Sequence, residues 1–454
     1  MPSHAARLLE LIRSRRARPG IVGLGYVGLP LAVEFARAGY TTTGIDLDAA
    51  KIKAISEGRS YIDDVPASDV AALRAQGTLT ATTNFDVVRE LDTVNICVPT
   101  PLRKTKDPDL SFIVGATEAI AERLRPGMLV ILESTTYPGT TDELVLPILE
   151  RRGLRAGKDF FLAFSPERVD PGNRTFNTRN IPKVVGGLTQ NCTMLAQALY
   201  EAATASVVPV SSPRVAEMVK LLENTFRAVN IGMVNELALM CDRLGVDVWE
   251  VIDAAATKPF GFMPFYPGPG LGGHCIPVDP FYLSWKARES GFEARFIELA
   301  GAVNSAMPHY VVSLIADALN SVRLPLNGSR VLVAGVSYKR DVDDIRESPA
   351  MDLLGLLRAR GAEVAYSDPH VPTLSGRHWQ DGIDLEHVDL NDALPGTYDC
   401  IVIVTDHSRF DYDRLQLAAK VVVDTRNAIS APGPNVTRIG SPRPTPAEAA
   451  LSVA

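Results

Sequence analysis

The stretch Ile21-Val22-Gly23-Leu24-Gly25-Tyr26-Val27-Gly28 decides the fold of the N-terminal half of the chain. It places the pattern G-x-G-x-x-G directly after a short apolar run, and the apolar spacing over Leu31–Ala38 predicts a helix behind it. In this pattern Gly23 permits a tight turn, Gly25 lets a pyrophosphate approach the backbone, and Gly28 lets the helix pack on the strand. The N–H groups at the helix N-terminus would then face the phosphates, so the stretch predicts a dinucleotide site.

A carboxylate follows at the position that selects between the two nicotinamide dinucleotides. Asp46 ends the next predicted strand, at the distance expected for an acid that hydrogen-bonds the adenosine ribose. Its negative charge would repel a 2′-phosphate, so NAD is favoured over NADP. Lys51 lies one helical turn further on. The sequence leaves open whether it reaches the adenosine half or is a solvated lysine.

Apolar runs and helical patterns alternate over residues 20–205 and again from Arg330. Such alternation predicts parallel sheets with crossover helices. The predicted strands are Ile21–Val22, Thr42–Asp46, Thr93–Val98, Met128–Leu132, Phe160–Phe164, Lys183–Val185, Val331–Val336, Glu363–Tyr366, Cys400–Val404 and Val421–Asp424. We therefore expect an α/β fold with two Rossmann-like, doubly wound domains.

Between the two α/β regions the apolar residues recur at helical spacing. One long helix is predicted from Pro213 to about Ala256, and a second over Phe292–Asn320. The expected organisation is an N-terminal amphipathic helix (1–18), a dinucleotide-binding domain (19–210), a central helical domain (211–322), a second Rossmann-like domain (323–430) and a disordered tail (431–454).

The composition restricts the partners and the compartment. The 454 residues carry a formal net charge of -7, which argues against nucleic acid. No apolar run reaches the length needed to span a bilayer, and the N-terminus does not read as a secretory signal. The five cysteines are scattered and lack metal-ligand spacing, so we expect reduced thiols, a cytoplasmic protein and no catalytic metal.

One cysteine differs from the others in its context. Cys275 follows Gly268-Pro269-Gly270-Leu271-Gly272-Gly273-His274, and Ile276-Pro277-Val278-Asp279-Pro280 follows it. The glycines and prolines describe a backbone shaped to lie against a ligand, with a nucleophile at its end. The other four cysteines lie on strand or helix patterns and are interpreted as buried hydrophobes. Whether the adjacent His274 is a base or points elsewhere stays open.

A thiol in such a loop suits the oxidation of an alcohol to an acid. It can add to an aldehyde to give a thiohemiacetal, and hydride loss gives a thioester that water cleaves. That route also needs a base and a group that stabilises an oxyanion. Asp279 lies four residues after Cys275, and Lys220 and Asn224 share one face of the predicted long helix.

Polar loops follow three successive predicted strands. They are Pro99-Thr100-Pro101, the run from Glu133 to Thr140, and Ser165-Pro166-Glu167-Arg168. Because ligands bind outside the carboxyl ends of strands in open α/β sheets, the three loops together predict a site wall. Each loop taken alone is equally well explained as a polar loop that caps a helix.

Taken together, these motifs resemble the UDP-glucose/GDP-mannose dehydrogenase family, the UDP-sugar 6-dehydrogenases, over roughly residues 15–430. The resemblance implies that two NAD molecules are reduced per sugar, with the C6 hydroxymethyl converted to a carboxylate. It also implies a homodimer. Residues 323–430 would then bind the UDP moiety.

The resemblance assigns roles to residues of the matching motifs. Cys275 is implied as the nucleophile. Lys220 and Asp279 are implied as the pair that stabilises the oxyanion and orders water, with Asn224 beside them. Glu167 is implied as a residue that assists thioester hydrolysis. Thr136 is implied as the site threonine, although Thr135 is its neighbour. The implied NAD contacts are Gly23, Gly25, Val27, Gly28, Asp46, Lys51, Thr100, Thr136 and Arg346. The implied substrate contacts are Glu167, Arg168, Lys220, Asn224, Phe265, Tyr266, Gly273, Tyr338, Lys339 and Arg426.

The sequence departs from the UDP-glucose branch of that family at His274 and Val278, where that branch has serine and lysine. The lysine that contacts NAD in that branch is replaced here by Val278. The runs Gly-Gly-His-Cys-Ile-Pro-Val-Asp-Pro and Ser-Pro-Glu-Arg-Val-Asp-Pro-Gly resemble the branch that oxidises UDP-N-acetylhexosamines. UDP-N-acetylglucosamine is the first expected substrate, UDP-N-acetylmannosamine the second.

Two other functions are weighed against this one. A two-electron hydroxy-acid dehydrogenase shares the first Rossmann domain but has no use for Cys275 or for a second α/β domain. A nucleotide-sugar-binding protein without turnover is the other alternative. The intact set of catalytic side chains argues against it: Glu167, Lys220, Asn224, Cys275 and Asp279. A UDP-sugar oxidoreductase explains most of the chain.

Overall fold

The computed structural model describes residues 3–62, 64–101, 107–169, 175–273, 275–374, 385–390 and 395–442. The chain forms two compact units. The first unit comprises Met1–Glu223 and Phe281–Phe292, and the second comprises Asn224–Pro280 and Glu293–Ala454. The segment interpreted as a central domain, residues 211–322, is thus divided between the two units.

The first unit is built on an eight-stranded sheet with the order β3-β2-β1-β4-β5-β6-β7-β8. Its strands are β1 (Pro19–Val22), β2 (Thr42–Ile45), β3 (Leu79–Thr82), β4 (Thr93–Ile96), β5 (Leu129–Leu132), β6 (Phe161–Phe164), β7 (Lys183–Gly187) and β8 (Val207–Val210). The edge strands β3 and β8 were not predicted from the sequence, because both are only partly buried, β3 alternates apolar residues with threonines, and β8 contains Pro209.

The prediction of an all-parallel sheet is wrong at one pair. β7 runs antiparallel to β6, whereas the other neighbouring pairs of this sheet are parallel. A parallel pair needs a crossover connection, usually helical, and an antiparallel pair does not. The described residues between the two strands, 165–169 and 175–182, contain no helix.

Helices cover both faces of this sheet. They are α1 (His4–Arg13), α2 (Gly28–Arg37), α3 (Ala49–Ser56), α4 (Ala67–Ala75), α5 (Ser111–Ala121), α6 (Leu146–Glu150) and α7 (Gln190–Glu201), with a 3-10 helix at Phe85–Glu90 and a π-helix at Thr140–Val145. One apolar layer includes Leu8 of α1, Phe35 of α2 and Tyr200 of α7, and the other includes Ile113 of α5 and Leu149 of α6. The N-terminal helix is therefore part of the core.

The long helix ends earlier than the sequence predicts. α8 spans Pro213–Leu244, and a separate helix, α9, spans Val248–Ala256. Gly245 between them has a φ of 69°, which L-residues with side chains rarely adopt. Asp247 then starts α9, since its carboxylate accepts the backbone N–H of Trp249 at 2.9 Å.

The second unit contains a five-stranded parallel sheet with the order β10-β9-β13-β14-β15. Its strands are β9 (Arg330–Ala334), β10 (Glu363–Ser367), β13 (Tyr398–Ile403), β14 (Ala419–Asp424) and β15 (Val436–Arg438), beside a small pair of β11 (Thr373–Leu374) and β12 (Leu385–Glu386). The later helices of the chain are α10 (Asp279–Glu289), α11 (Arg295–Ser321), α12 (Pro349–Ala359) and α13 (Tyr412–Ala418). Two doubly wound α/β sheets and a long helix are therefore present, as predicted.

By length and composition alone, α11 could cross a membrane. The sequence analysis predicted no apolar run of that length. The buried residues of α11 include Met307, Val311 and Ile315, and they pack in one cluster with Leu353 and Leu357 of α12. These contacts are typical of the core helix of a globular unit.

The predicted disorder from residue 431 is wrong for the described part of the tail. β15 extends the second sheet, and Val436 and Ile439 are buried. The Trp249 Nε1 donates a hydrogen bond of 2.9 Å to the carbonyl of Ile439. Tertiary contacts thus order a segment whose composition alone suggests a loop. Residues 443–454 lie outside the described residues.

Candidate active site

The loop after β1 has the geometry that a dinucleotide requires. Gly23 has a φ of 91°, and a Cβ on Gly28 would lie 1.8 Å from the carbonyl oxygen of Gly23, so neither position tolerates a side chain. A Cβ on Gly25 would meet nothing within 4 Å, which leaves open space over this part of the backbone. The N-cap residue of α2, Val27, makes no side-chain capping bond. The residues therefore fit a pyrophosphate at the start of α2.

The strand order places this loop at the switch point of the sheet. β1 lies between β2 and β4, so the chain leaves β1 in one direction and later continues from β4 in the other. In doubly wound sheets this is the crevice in which nucleotides bind. Thr100, in the loop that follows β4, is buried, and its carbonyl accepts a hydrogen bond from the hydroxyl of Tyr282.

Asp46 is held as an ionised acid beside the loop. Its carboxylate accepts the backbone N–H of Leu24 at 2.8 Å and that of Asp48 at 2.9 Å, and it pairs with Lys51 at 3.0 Å. Burial favours the neutral acid, but these donors outweigh burial and lower the pKa of Asp46. Lys51 thus forms an ion pair with Asp46, the acid that is predicted to hydrogen-bond the ribose.

The loop after β5 distinguishes the two neighbouring threonines. Thr136 is buried, and among the described residues its Oγ1 has no hydrogen-bond partner, whereas Thr135 is partly exposed. A buried hydroxyl without a partner costs stability unless a ligand or water satisfies it. This favours Thr136 as the site threonine.

Glu217 on α8 fixes the same loop, and the sequence analysis missed it. Its carboxylate is buried and accepts the backbone N–H groups of Gly139 at 2.6 Å and Thr141 at 2.9 Å, and the hydroxyl of Thr141 at 2.7 Å. Burial raises the pKa of Glu217 despite these donors. The spacing of Glu217 from Lys220 and Asn224 could have indicated a common helix face, because residues three and four apart are neighbours.

Glu167, in the loop after β6, is oriented by three donors. Its Oε1 accepts the backbone N–H groups of Arg168 and Val169, both at 2.8 Å, and its Oε2 lies 3.1 Å from the Nζ of Lys183. Burial opposes ionisation, but Lys183 and the two N–H groups lower the pKa of Glu167. The side chain therefore stands as a fixed carboxylate.

Arg168 is already engaged within the first unit. Its guanidinium pairs with Glu223 at 2.6 Å and donates to the carbonyl of Pro182 at 2.7 Å. These two contacts of Arg168 hold the connection between β6 and β7 against α8. The implied substrate contact of Arg168 would require these bonds to be exchanged, and it stays a prediction.

Lys220 and Asn224 are buried one helical turn apart on α8. Among the described residues the Lys220 ammonium forms no ion pair. The Asn224 Nδ2 donates to the Oδ2 of Asp279 at 2.5 Å. The backbone N–H of Asp279 in turn donates to the carbonyl of Cys275 at 2.8 Å, so one turn of chain joins the thiol to this acid.

The glycine-rich loop before Cys275 packs against the second α/β sheet. A Cβ on Gly273 would lie 2.8 Å from the ring of Tyr338, and the Gly273 N–H donates to the carbonyl of Arg346 at 3.0 Å. A Cβ on Gly268 would lie 2.6 Å from the guanidinium of Arg426. The structure thus places Tyr338 and Arg346 against Gly273, and Arg426 against Gly268, within the second unit. His274 lies outside the described residues.

Several predicted contacts are occupied by other partners. The guanidinium of Arg346 pairs with Asp344 at 2.6 Å, and the hydroxyl of Tyr266 donates to Asp253 at 3.0 Å. The ring of Phe265 packs against that of Phe226, with centroids 5.7 Å apart. Arg426 is partly buried and donates to the carbonyl of Val404 at 2.8 Å, and desolvation lowers the pKa of its guanidinium. Roles for these residues stay predictions.

The loop that carries Lys339 is fixed by a buried histidine. His407 Nδ1 accepts the backbone N–H of Asp341 at 3.0 Å, and its Nε2 lies 3.0 Å from Asp368. His370 completes a cluster with His407 and Asp341 whose donor atoms lie within 4.8 Å of one another. Both nitrogens of His407 are hydrogen-bonded within the protein, so this histidine serves the loop conformation.

Comparison with known proteins agrees with this geometry. Models of the UDP-glucose/GDP-mannose dehydrogenase family match residues 17–204 (NAD binding domain), 214–306 (central domain) and 332–431 (UDP binding domain). The chain is 39% identical over 392 residues to the UDP-N-acetyl-D-glucosamine 6-dehydrogenase of Pseudomonas aeruginosa, covering 86% of this chain and 90% of the relative.

Two further matches extend over nearly the whole chain. An NDP-N-acetyl-D-galactosaminuronic acid dehydrogenase of Ralstonia solanacearum is 38% identical over 90% of this chain and 96% of the relative. The structure of a UDP-D-ManNAc dehydrogenase from Pyrococcus horikoshii superposes with a TM-score of 0.84 at 33% identity, covering 93% of this chain and 99% of the other. The chain therefore belongs to the UDP-glucose/GDP-mannose dehydrogenase family, as an NAD-dependent UDP-sugar dehydrogenase.

Proposed function

We propose that the protein oxidises the C6 hydroxymethyl of UDP-N-acetylglucosamine to the carboxylate in two steps. The observation that carries the choice of substrate class is the cysteine loop, Gly272-Gly273-His274-Cys275-Ile276-Pro277-Val278-Asp279, which departs from the UDP-glucose pattern. The Pseudomonas aeruginosa relative, at 39% identity, supports the N-acetylglucosamine epimer. UDP-N-acetylmannosamine is the second candidate, because a Pyrococcus horikoshii UDP-N-acetyl-D-mannosamine dehydrogenase is 35% identical over 91% of this chain.

In the proposed route the protein's own groups handle the carbonyl chemistry. When bound, NAD accepts the hydride in each of the two oxidations. The Cys275 sulfur bonds to the C6 aldehyde carbon, and the thiohemiacetal becomes a thioester when a hydride and a proton leave. Water then forms the new C–O bond, the C–S bond breaks, and its electron pair returns to sulfur. Lys220 stabilises the oxyanion, and Asp279, held by Asn224, orders water.

A substrate panel tests this function. We expect about two NADH per uronic acid with UDP-N-acetylglucosamine, and slower turnover with UDP-N-acetylmannosamine, UDP-N-acetylgalactosamine and UDP-glucose. NADH is followed by absorbance and the acid by mass spectrometry. A ratio near one with free aldehyde would contradict the thioester route. Binding of all four UDP-sugars by calorimetry without NADH would instead identify a binding protein without turnover.

We further propose that the protein is a homodimer in the cytoplasm. All five cysteines lie in the described part of the chain and none forms a disulfide, which is consistent with a reducing compartment. In the second unit, Phe226 and Met233 of α8 are exposed, as are Phe296 and Leu299 of α11. The two helices touch where a Cβ on Gly232 would lie 3.0 Å from Ala300, and we infer that the exposed side chains beside this contact form one apolar surface.

A second copy of the chain is the partner that fits this surface, because an isologous contact would cover the same apolar side chains on both copies. We expect sedimentation of the protein at twice the chain mass. The double variant M233E/F296E should sediment as a folded monomer. L417E, which adds one negative charge in place of the two of the double variant at an exposed leucine of α13, is the control and should remain dimeric. A monomeric wild-type protein would contradict the proposal.

A further inference from the structure

The first unit contains a buried cluster of charges that the proposed route does not use. The Nζ of Lys183, the first residue of β7, lies 2.7 Å from the Oε2 of Glu133 and 3.1 Å from the Oε2 of Glu167. The Lys183 side chain is 4% exposed and that of Glu133 is fully buried. Burying three charged groups is costly, so a cluster of this kind needs a reason.

The far end of the cluster, Glu133, is held by three donors and is closed to solvent. The Oε1 of Glu133 accepts the hydroxyl of Tyr200 at 2.6 Å and the Nδ2 of Asn95 at 2.7 Å. Tyr200 and Asn95 are themselves buried, on α7 and β4. Glu133 is therefore fixed, and it fixes the ammonium of Lys183 in turn.

The near end of the cluster is Glu167, whose side chain is 13% exposed, so that water can reach an acceptor position left open there, whereas Glu133 is closed to solvent. A carboxylate offers about four acceptor positions, two on each oxygen. Oε1 takes two backbone N–H groups, from Arg168 and Val169, and Oε2 takes Lys183. One acceptor position on Oε2 is left for a water or a hydroxyl.

We propose that Lys183 is a positioning residue for the hydrolytic step: anchored by Glu133, it holds Glu167 ionised and leaves one Oε2 acceptor position for the attacking water. This inference rests on the proposed function. In the step, the water oxygen bonds to the acyl carbon and the C–S bond breaks with its electron pair returning to sulfur. One water proton passes to Glu167 and from there to solvent.

The charge balance of the cluster gives this role a measurable signature. Burial disfavours the ammonium, but the two carboxylates outweigh burial and raise the pKa of Lys183, so it stays charged. Without that charge the burial of Glu167 would no longer be outweighed, and its pKa would rise even in the absence of a charge on Glu133. The ionised form of Glu167 would then be lost as the pH falls through the raised value. The rate of hydrolysis in such a variant would fall as the pH is lowered near neutrality, whereas the wild-type rate would stay constant there. This fall is called the acid limb of the pH profile.

The test compares K183M, which removes the charge at similar length, with K183R, which keeps it. For K183M we expect an unchanged first NADH, an acyl adduct on Cys275 seen by intact-protein mass spectrometry, acid release slowed about 10–100-fold, and an acid limb between about pH 6 and 8. K183R should restore the rate and the flat profile. A K183M protein that releases acid at the wild-type rate at every pH would overturn the proposal.

A second variant covers the case in which K183M does not fold because Glu133 is left unpaired. K183M/E133Q removes both charges and leaves Glu167 in place. We expect it to bind NAD normally, yet to keep the slow, pH-dependent acid release. Wild-type release in this double variant would show that Lys183 only neutralises Glu133, which would also overturn the proposal. Failure of the proposed function itself would appear differently, as no NADH from the wild type with any UDP-sugar.

Discussion

Replacing Cys275 with serine is expected to reduce formation of the uronic acid at least about 10³-fold, because a serine hydroxyl is a much weaker nucleophile than a thiolate. Cys275 is only partly buried, whereas the other four cysteines are buried. Burial raises the pKa of the Cys97, Cys241 and Cys400 thiols and keeps them protonated. Of the five, Cys275 alone combines solvent access with a loop shaped for a ligand.

The measurement is the ratio of NADH to acid in a single turnover, with NAD affinity as a test of folding. In C275S the ratio of two should be lost, because the first oxidation yields an aldehyde that has no thiol to capture it. C241S is the matched control. It removes a buried thiol from α8 and should keep both the ratio and the rate. Acid formation by C275S above a tenth of the wild-type rate would remove the thiol from the route.

Replacing Lys220 with methionine is expected to lower kcat about 10²–10³-fold with little change in KM, the range for loss of one group that stabilises an oxyanion. Lys220 is buried, and among the described residues its ammonium has no anionic partner. An unpaired buried cation disfavours the folded state unless a negative charge arrives. Charge that develops on the substrate oxygen during the reaction would supply it.

This reasoning predicts opposite effects on activity and stability. K220M should melt at the same temperature as the wild type or higher, because it removes a buried charge and breaks no ion pair. Steady-state kinetics and thermal unfolding measured on one preparation decide the matter. R243M, at an exposed position near the end of α8, is the control and should change neither quantity. A K220M protein that loses stability and keeps its kcat would assign Lys220 a structural role.

Local motifs allowed much of the dinucleotide site to be predicted. The tight turn at Gly23, the clash that any side chain would make at Gly28, and the acid at Asp46 follow from short-range sequence patterns. The helical spacing on α8 likewise placed Lys220 and Asn224 on one face. These features depend on residues that are close in sequence, which is why a pattern can reveal them.

Ion pairs were poorly predicted, because each depends on a partner distant in sequence. Lys183 and Glu133 lie 50 residues apart and meet only because β5, β6 and β7 are neighbours. The pair between Arg168 and Glu223 joins residues 55 apart. The sequence did show a lysine at the start of an apolar strand, which indicates that Lys183 needs a buried partner. Nothing in the sequence indicated its two carboxylate partners.

The sequence by itself determined the two α/β domains, the family, the NAD fingerprint and the cysteine loop, because each is written in turn glycines and in apolar spacing over a few residues. Only the tertiary structure decided that β7 runs antiparallel to β6, that the tail forms β15, and that Glu167 is held by Lys183. Strand neighbours and buried charge partners are set by how distant segments pack, and packing energy is not encoded in any one segment.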